Sequence, residues 1–331
     1  VLRHRAEVAG VPLVATGVLR TAKLRSFALH AGPEAGGLDA SLFNIVDQRE
    51  RDPKEGLFSV PFVRATSDAL GQSNDRTAGV VAVLNQRGRV ALLACKACRS
   101  VARCERCAGP MASDGEELIC RRCEERRPVV CASCGSTTLR ALRLGVTGAA
   151  EQLGALLARP VATVEGPGGG AVVASPVVLG TEAALHRLRR AGLVAFLDFD
   201  QQLHATRMGA TEDALALLVR AARLVARVPG GSVLIQTRDP GHPLLAALAA
   251  GTVDELLDGE DTLRAELKLP PYVAQAVVRG EGAEAALAIG ASSIGDDRYL
   301  VEAASPEDLA ELLAGASLPD GVKVAVDPRA L

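Results

Sequence analysis

Eight cysteines lie between residues 95 and 134, and none elsewhere in the 331-residue chain. They form four Cys-x-x-Cys pairs: Cys95/Cys98, Cys104/Cys107, Cys120/Cys123 and Cys131/Cys134. A two-residue spacer lets a tight knuckle aim both sulfurs at one point, and two knuckles supply the four thiolates of a closed tetrahedral zinc site. Eight ligands therefore predict two structural Zn2+ ions. Disulfides and iron-sulfur clusters use the same residue type; a reducing cytoplasm and the regular Cys-x-x-Cys repeat weigh against the former. No histidine or carboxylate is placed to open a coordination position, so no catalytic metal is expected. The gaps between successive pairs are 5, 12 and 7 residues. Five residues are few for wrapping two knuckles around one ion, whereas twelve suit a ribbon hairpin. The spacing favours a nested arrangement, with Cys104, Cys107, Cys120 and Cys123 on one ion and Cys95, Cys98, Cys131 and Cys134 on the other.

The charge of this block bears on what it touches. Residues 95–134 carry Lys96 and seven arginines against six acids, a balance of +2. Eight thiolates holding two dications contribute four negative charges, so the loaded module stands near −2, and it has no aromatic residue on which a base would stack. A wedge or protein-contacting role fits it better than a grip on single strands. The whole chain is also near neutral, at −2, and lacks the basic footprint of a protein held to nucleic acid by phosphate contacts alone.

Forty residues bury too little apolar surface to fold unaided, so the elements around them must position the module. The length predicts two or three domains. Hydrophobic residues make up 48 % of the chain but aromatics only 2 %, with no tryptophan, which favours Ala/Val/Leu cores in layered α/β architecture. Short β-branched runs at 11–16, 42–47 and 80–85 read as strands. After the cysteines, 146–158 reads as helix, 160–166 and 170–175 as strands, 181–190 as helix, 192–199 as strand, 211–227 as a long helix and 231–237 as strand. Apolar strands spaced by helices imply a parallel sheet covered on both faces, with the cysteine block as an insertion. Residues 31–40 and 47–56 read as loop. From residue 269 the pattern becomes strand, helix, strand, helix, strand, a small α+β domain. The turn at 167–170 (Pro-Gly-Gly-Gly) lacks the Lys-Ser/Thr of a phosphate loop. No apolar run reaches the roughly 20 residues that span a bilayer. Pro12 and Gly17 interrupt the apolar opening stretch, so no leader is expected and the location is read as cytoplasmic, with no membrane contact.

The segments NQRG (Asn85 to Gly88), LLACKAC, the four knuckles, CASCGSTTLRALRLG, LDFD (197–200), VLIQT, HPLL (242–245) and LPPY (269–272) together resemble the PriA, or primosomal protein N-prime, family of replication-restart helicases. The resemblance implies two RecA-like lobes, a two-zinc module inserted in the second, and a C-terminal domain that contacts DNA. It divides the chain into the end of a first lobe (1–75), a second lobe (76–94 and 139–255), the zinc insertion (95–138) and an α+β DNA-associated domain (256–331). An N-terminal DNA-binding domain, the ATP phosphate loop and the acidic metal motif would precede Val1.

The chain departs from the family pattern where ATP is handled. ATGVLRT (15–21) replaces a Gly-Ser-Ala-Thr-Pro motif, and ASPV (174–177) a Gly-Thr-Gln segment. VRAARLVAR (219–227) replaces a motif in which a glutamine and two glycines frame two arginines; Arg223 falls in place and Arg227 one position late. Phosphoryl transfer needs cations fixed against the γ-phosphate, and loss of an arginine finger costs about a thousandfold or more. Little ATP hydrolysis is therefore expected, and no catalytic residue is assigned. Arg223 and Arg227 read as a solvated helix face, Arg87 as a loop arginine, His242 as a helix start. Asp198 and Asp200, two apart at a strand end, share a face and read as caps of the following loop rather than as a metal or acid/base pair.

The expected function is replication-restart primosome assembly: binding branched DNA and recruiting the replicative helicase or its loader, with single-stranded DNA-binding protein a further partner and helicase activity lost. An active 3′ to 5′ DNA helicase with its ATPase motifs upstream is the alternative, and a zinc-ribbon adaptor the third reading.

Overall fold

The computed structural model describes Ala9 and residues 38–326, except 52–55, 73–78, 85–89, 99, 101, 107–110, 115–116, 121–122, 124, 145, 167–174 and 206. It divides into two compact units, one of residues 38–201 with 217–245, the other containing residues 202–216 and 246–331.

In chain order the first unit has β1 (Phe43–Asp47), α1 (Val60–Gln72) and β2 (Val80–Val83). The insertion follows, with β3 (Val90–Cys95), β4 (Met111–Asp114), β5 (Glu117–Cys120), β6 (Arg126–Pro128) and β7 (Leu139–Leu144). Next come α2 (Val146–Leu157), β8 (Ala162–Val164), β9 (Val177–Gly180), α3 (Ala183–Arg187), β10 (Leu193–Phe196) and α4 (Asp200–Leu203). The long α5 (Ala210–Val225), β11 (Ser232–Thr237), α6 (Pro243–Ala250) and α7 (Val253–Glu266) lead to β12 (Ala274–Arg279), β13 (Ser292–Gly295), β14 (Arg298–Ala303), α8 (Pro306–Gly315) and β15 (Lys323–Val326).

Six strands form one sheet in the order β1-β11-β10-β2-β9-β8, and every pairing is parallel. Three of the four inner strands, VVAV, VVLG and LVAF, are buried at every residue, as apolar strands covered on both faces must be. On one face Val80, Ala82, Val177, Leu179, Leu193 and Ala195 pack with Phe62 of α1 and with Val146, Ala149 and Leu153 of α2. Gly180 ends β9 where a Cβ would stand 2.4 Å from the Val164 carbonyl oxygen, so the β8 edge requires glycine there. The sheet is the α/β lobe expected from the sequence. Its limits differ, because β1 runs parallel to β11 in unbroken register from Phe43↔Val233 to Asp47↔Thr237. The boundary expected at residue 75 therefore falls inside this lobe, not at its edge.

The insertion is built on its own two sheets. β3 pairs antiparallel with β7, and β4, β5 and β6 form a three-stranded sheet. The ribbon of β3 and β7 carries the insertion, which thus takes in residues on both sides of 95–138. Its core is small: Leu93, Ala102, Cys104, Met111, Leu118 and Cys120, with Val129 and Leu139 against it.

The second unit, which takes in residues 246–331, contains a four-stranded antiparallel sheet, β13-β14-β12-β15. Its core joins Ala274, Ala276 and Val278 of β12 to Ala283, Ala286, Val301 and Leu309. Ser305 accepts a hydrogen bond from the Asp308 NH at 3.0 Å, with Pro306 at the first helical position, and so starts α8. An ion pair of 3.4 Å between Arg264 and Glu212 ties α7 to the start of α5. Among the described residues no helix is long and apolar enough to cross a membrane. The strand expected at 11–16 lies outside the described residues, as does most of that at 170–175.

Candidate metal centres

Each described cysteine knuckle begins with the same backbone closure. The NH of Cys95 donates to the Ser100 carbonyl at 2.9 Å, that of Cys120 to Glu125 at 2.9 Å and that of Cys131 to Ser136 at 2.8 Å. The first cysteine of a pair thus folds over the carbonyl five residues on, and the second is carried round the turn towards the same point. After Cys134 the turn is completed by Gly135, at φ +72°, a conformation glycine adopts without the Cβ penalty; its NH donates to the Cys131 carbonyl at 2.9 Å.

These turns bring the sulfurs together in two groups. The Sγ atoms of Cys95, Cys98, Cys131 and Cys134 all lie within 4.8 Å of one another, as do those of Cys104, Cys120 and Cys123. Cys107, expected as the fourth member of the second group, lies outside the described residues. Cys95 and Cys134 are 3.6 Å apart, Cys98 and Cys131 3.5 Å, and Cys104 and Cys123 3.6 Å. A disulfide needs about 2.05 Å, so the seven described cysteines are free thiols. Four sulfurs about 2.3 Å from a tetrahedral ion would be about 3.8 Å apart along each edge, close to the spacing found. The first group joins the two ends of the insertion: Cys95 closes β3 beside Leu139 of β7, and Cys131 and Cys134 precede β7. The second lies deeper in the insertion, with Cys120 opposite Met111 across β4 and β5.

The first group is electrostatically divided. A hydrogen bond from the Ser100 hydroxyl, then one from the Ser133 NH, bring the Cys131 thiol down to about 6. The NH groups of Cys98 and Ala97 lower Cys95 against the opposing effect of burial. At Cys134 the Ser136 NH favours the thiolate, but the sulfurs of Cys98 and Cys95 together with burial push it up to about 12. Opposite shifts within one group are what crowding of like charge produces. Four thiolates cannot gather here on their own, whereas a dication at the centre makes each of them favourable.

Ser100 is a member of this site that the cysteine spacing does not reveal. Its hydroxyl lies 3.0 Å from the Cys98 sulfur and 3.3 Å from that of Cys131. The only sequence signal is positional, since Ser100 follows Cys95 at the interval by which Ser136 follows Cys131.

The remaining candidates take structural places. Asp200 starts α4 and accepts from the Arg238 NH at 3.0 and 3.1 Å and from the Thr237 hydroxyl, joining the ends of β10 and β11. Asp198 accepts from Gln201 Nε2 at 2.7 Å. Asp198 thus holds the segment that follows it, as expected, whereas Asp200 caps the turn after β11 instead of its own following loop; among the described residues neither belongs to a group of three or more ligating side chains. His242 accepts from the Leu244 NH at 3.2 Å as α6 begins. Arg223 and Arg227 are exposed. Arg87 and residues 15–21 lie outside the described residues.

The chain is thus an α/β protein whose six-stranded parallel sheet, consistent with a RecA-like lobe, is interrupted after its second strand by a ribbon bearing grouped cysteine thiols. No protein-family profile matches it. Over 283 residues it is 30 % identical to the probable replication restart protein PriA of Mycobacterium tuberculosis, covering 82 % of this chain and 41 % of that protein. With the probable PriA of Mycobacterium leprae it shares 31 % identity over 313 residues, 90 % of this chain and 44 % of the relative. The replication restart protein PriA of Haemophilus influenzae is 27 % identical over 274 residues, or 77 % and 37 % of the two chains. The chain belongs to the PriA replication restart protein family. It spans about two fifths of the length of these relatives.

Proposed function

We propose that this chain supplies a RecA-like second lobe, a two-zinc module and a C-terminal domain to a cytoplasmic replication-restart protein. That protein binds branched DNA and recruits the replicative helicase or its loader, with single-stranded DNA-binding protein as a further partner. One zinc is held by Cys95, Cys98, Cys131 and Cys134, the other by Cys104, Cys107, Cys120 and Cys123. The observation that carries this reading is the convergence of the outer knuckles' sulfurs within 4.8 Å in a chain of this family. A closed shell of four thiolates leaves no place for substrate, so the ions act as folding ligands. They fix a ribbon whose tip, lacking aromatic side chains, serves as a wedge or protein contact at a DNA junction.

The motor is weak in this proposal. The segment 219–227 lacks the framing glutamine and glycines, and its Arg223 is exposed beside buried Ala222 and Leu224, packed as an ordinary amphipathic helix. The test uses the full-length protein with labelled forked and linear duplex DNA. Anisotropy is expected to show preference for the fork, reduced when chelator strips the metal. Steady-state ATP turnover with fork present is expected at about 10⁻² s⁻¹ or slower, a thousandfold below an ordinary enzyme. Turnover near 10 s⁻¹ with 3′ to 5′ unwinding would establish the active helicase instead, and indifference to forks would remove the replication-restart reading.

A further inference from the structure

The two edges of the four-stranded sheet differ. β13 is largely polar and shifts register between Ser293 and Gly295, features that blunt an edge. β15 pairs with β12 in unbroken register from Lys323 to Val326, and all four of its residues are exposed, Val324 at 41 % and Val326 at 55 %. These valines stand opposite Val278 and Ala276, which are fully buried in the domain core, and the pleat puts opposed residues on one face. The core face thus runs out to the edge strand and lies uncovered there.

The other face of the sheet carries a row of cations. Arg298, Arg279 and Lys323 stand directly opposite one another across β14, β12 and β15, where like charges repel. Asp296, in the turn joining β13 to β14, reaches Arg298 at 3.6 Å; Asp297 and Glu281 border the same open pocket of about 710 Å³. The turn carboxylates sit at the β14 end of this row. Lys323 sits at the other end, on the open edge.

We propose that β15 receives an added strand from a protein partner: an extended segment with a carboxylate opposite Lys323 and β-branched side chains beside Val324 and Val326. The backbone groups on the outer side of β15, which pair with no other strand among the described residues, supply its hydrogen bonds, and alternate side chains supply its selectivity. The period of two fixes the partner's pattern as acidic, apolar, any, apolar for parallel addition, and the reverse for antiparallel. A fourth strand across the row places an anion where the sheet now ends in a cation, and extends the apolar face over the two valines. The inference goes beyond the proposed function and does not rest on the thiol groups.

Two fluorescein-labelled decapeptides test it with the full chain, one with Asp-Val-Thr-Val between Gly-Ser flanks, the other with Val-Thr-Val-Asp, each against its scrambled form. One of them is expected to bind saturably and to slow amide exchange over 323–326. Lys323→Glu and Val324→Lys, both at exposed positions and checked by an unchanged thermal midpoint, are each expected to weaken it at least fivefold. If Val324→Lys disturbs folding, Val326→Lys replaces it. The proposal is overturned if neither peptide binds better than its scrambled form, or if binding ignores Val324→Lys. It is equally overturned if the peptides fail while the chain dimerises through this edge, or while labelled single-stranded DNA loses affinity on Lys323→Glu.

Discussion

The insertion and the sheet it interrupts are stabilised by different means. The lobe buries three strands completely and packs Phe62 and Leu153 at 0 % exposure against them. The insertion has two small sheets around a handful of apolar residues, two of them cysteines. A core of that size does not offset the chain entropy of about forty residues, at roughly 1–2 kcal/mol each. A structural zinc site supplies about 10–16 kcal/mol of apparent folding free energy, a contribution that a small apolar core lacks. In the proposed account the lobe is held by buried area and the insertion by metal ligands, and perturbations should separate the two.

The largest separation is expected from metal removal. A strong chelator should abolish amide protection over 90–144 while β2, β10 and β11 keep theirs, as read by hydrogen-exchange mass spectrometry; loss of protection throughout the sheet would break the distinction. In the opposite direction, Leu153→Ala should destabilise the lobe by about 2–5 kcal/mol in a denaturant titration and leave the metal content untouched. Gly180→Ala sets a Cβ against the Val164 carbonyl oxygen at 2.4 Å and should cost about 1–3 kcal/mol by the same titration, with faster exchange confined to the β8 edge. Smallest of all, Arg223→Ala on the exposed face of α5 should shift stability by less than about 0.5 kcal/mol and leave ATP turnover as it was.

The same contrast governs what the sequence reveals. β2, β10 and β11 are legible because burial on both faces writes them as unbroken apolar runs. The paired thiols are legible because ligand spacing is local, and the gap lengths favour the nesting among the possible pairings. What escapes is non-local or unpatterned. Nothing in FNIVD shows that β1 will lie beside β11, far along the chain. α1 is hidden by Pro61 and by Thr66, Ser67 and Asp68 among its apolar positions. α7 carries acids around most of its circumference and buries only Leu257, so it lacks a periodic stripe. β13 is polar and largely exposed. Ser100 escapes because a hydroxyl touching two sulfurs is a consequence of the knuckle's fold, not of its spacing.

The most direct measurement is elemental analysis of the protein purified without added metal, joined to a thiol titration before and after denaturation. Two zinc ions per chain and eight free thiols on unfolding are expected. One ion or none, an iron-sulfur chromophore, or fewer titratable thiols through sulfur–sulfur bonding would contradict the claim that ligands hold the insertion together.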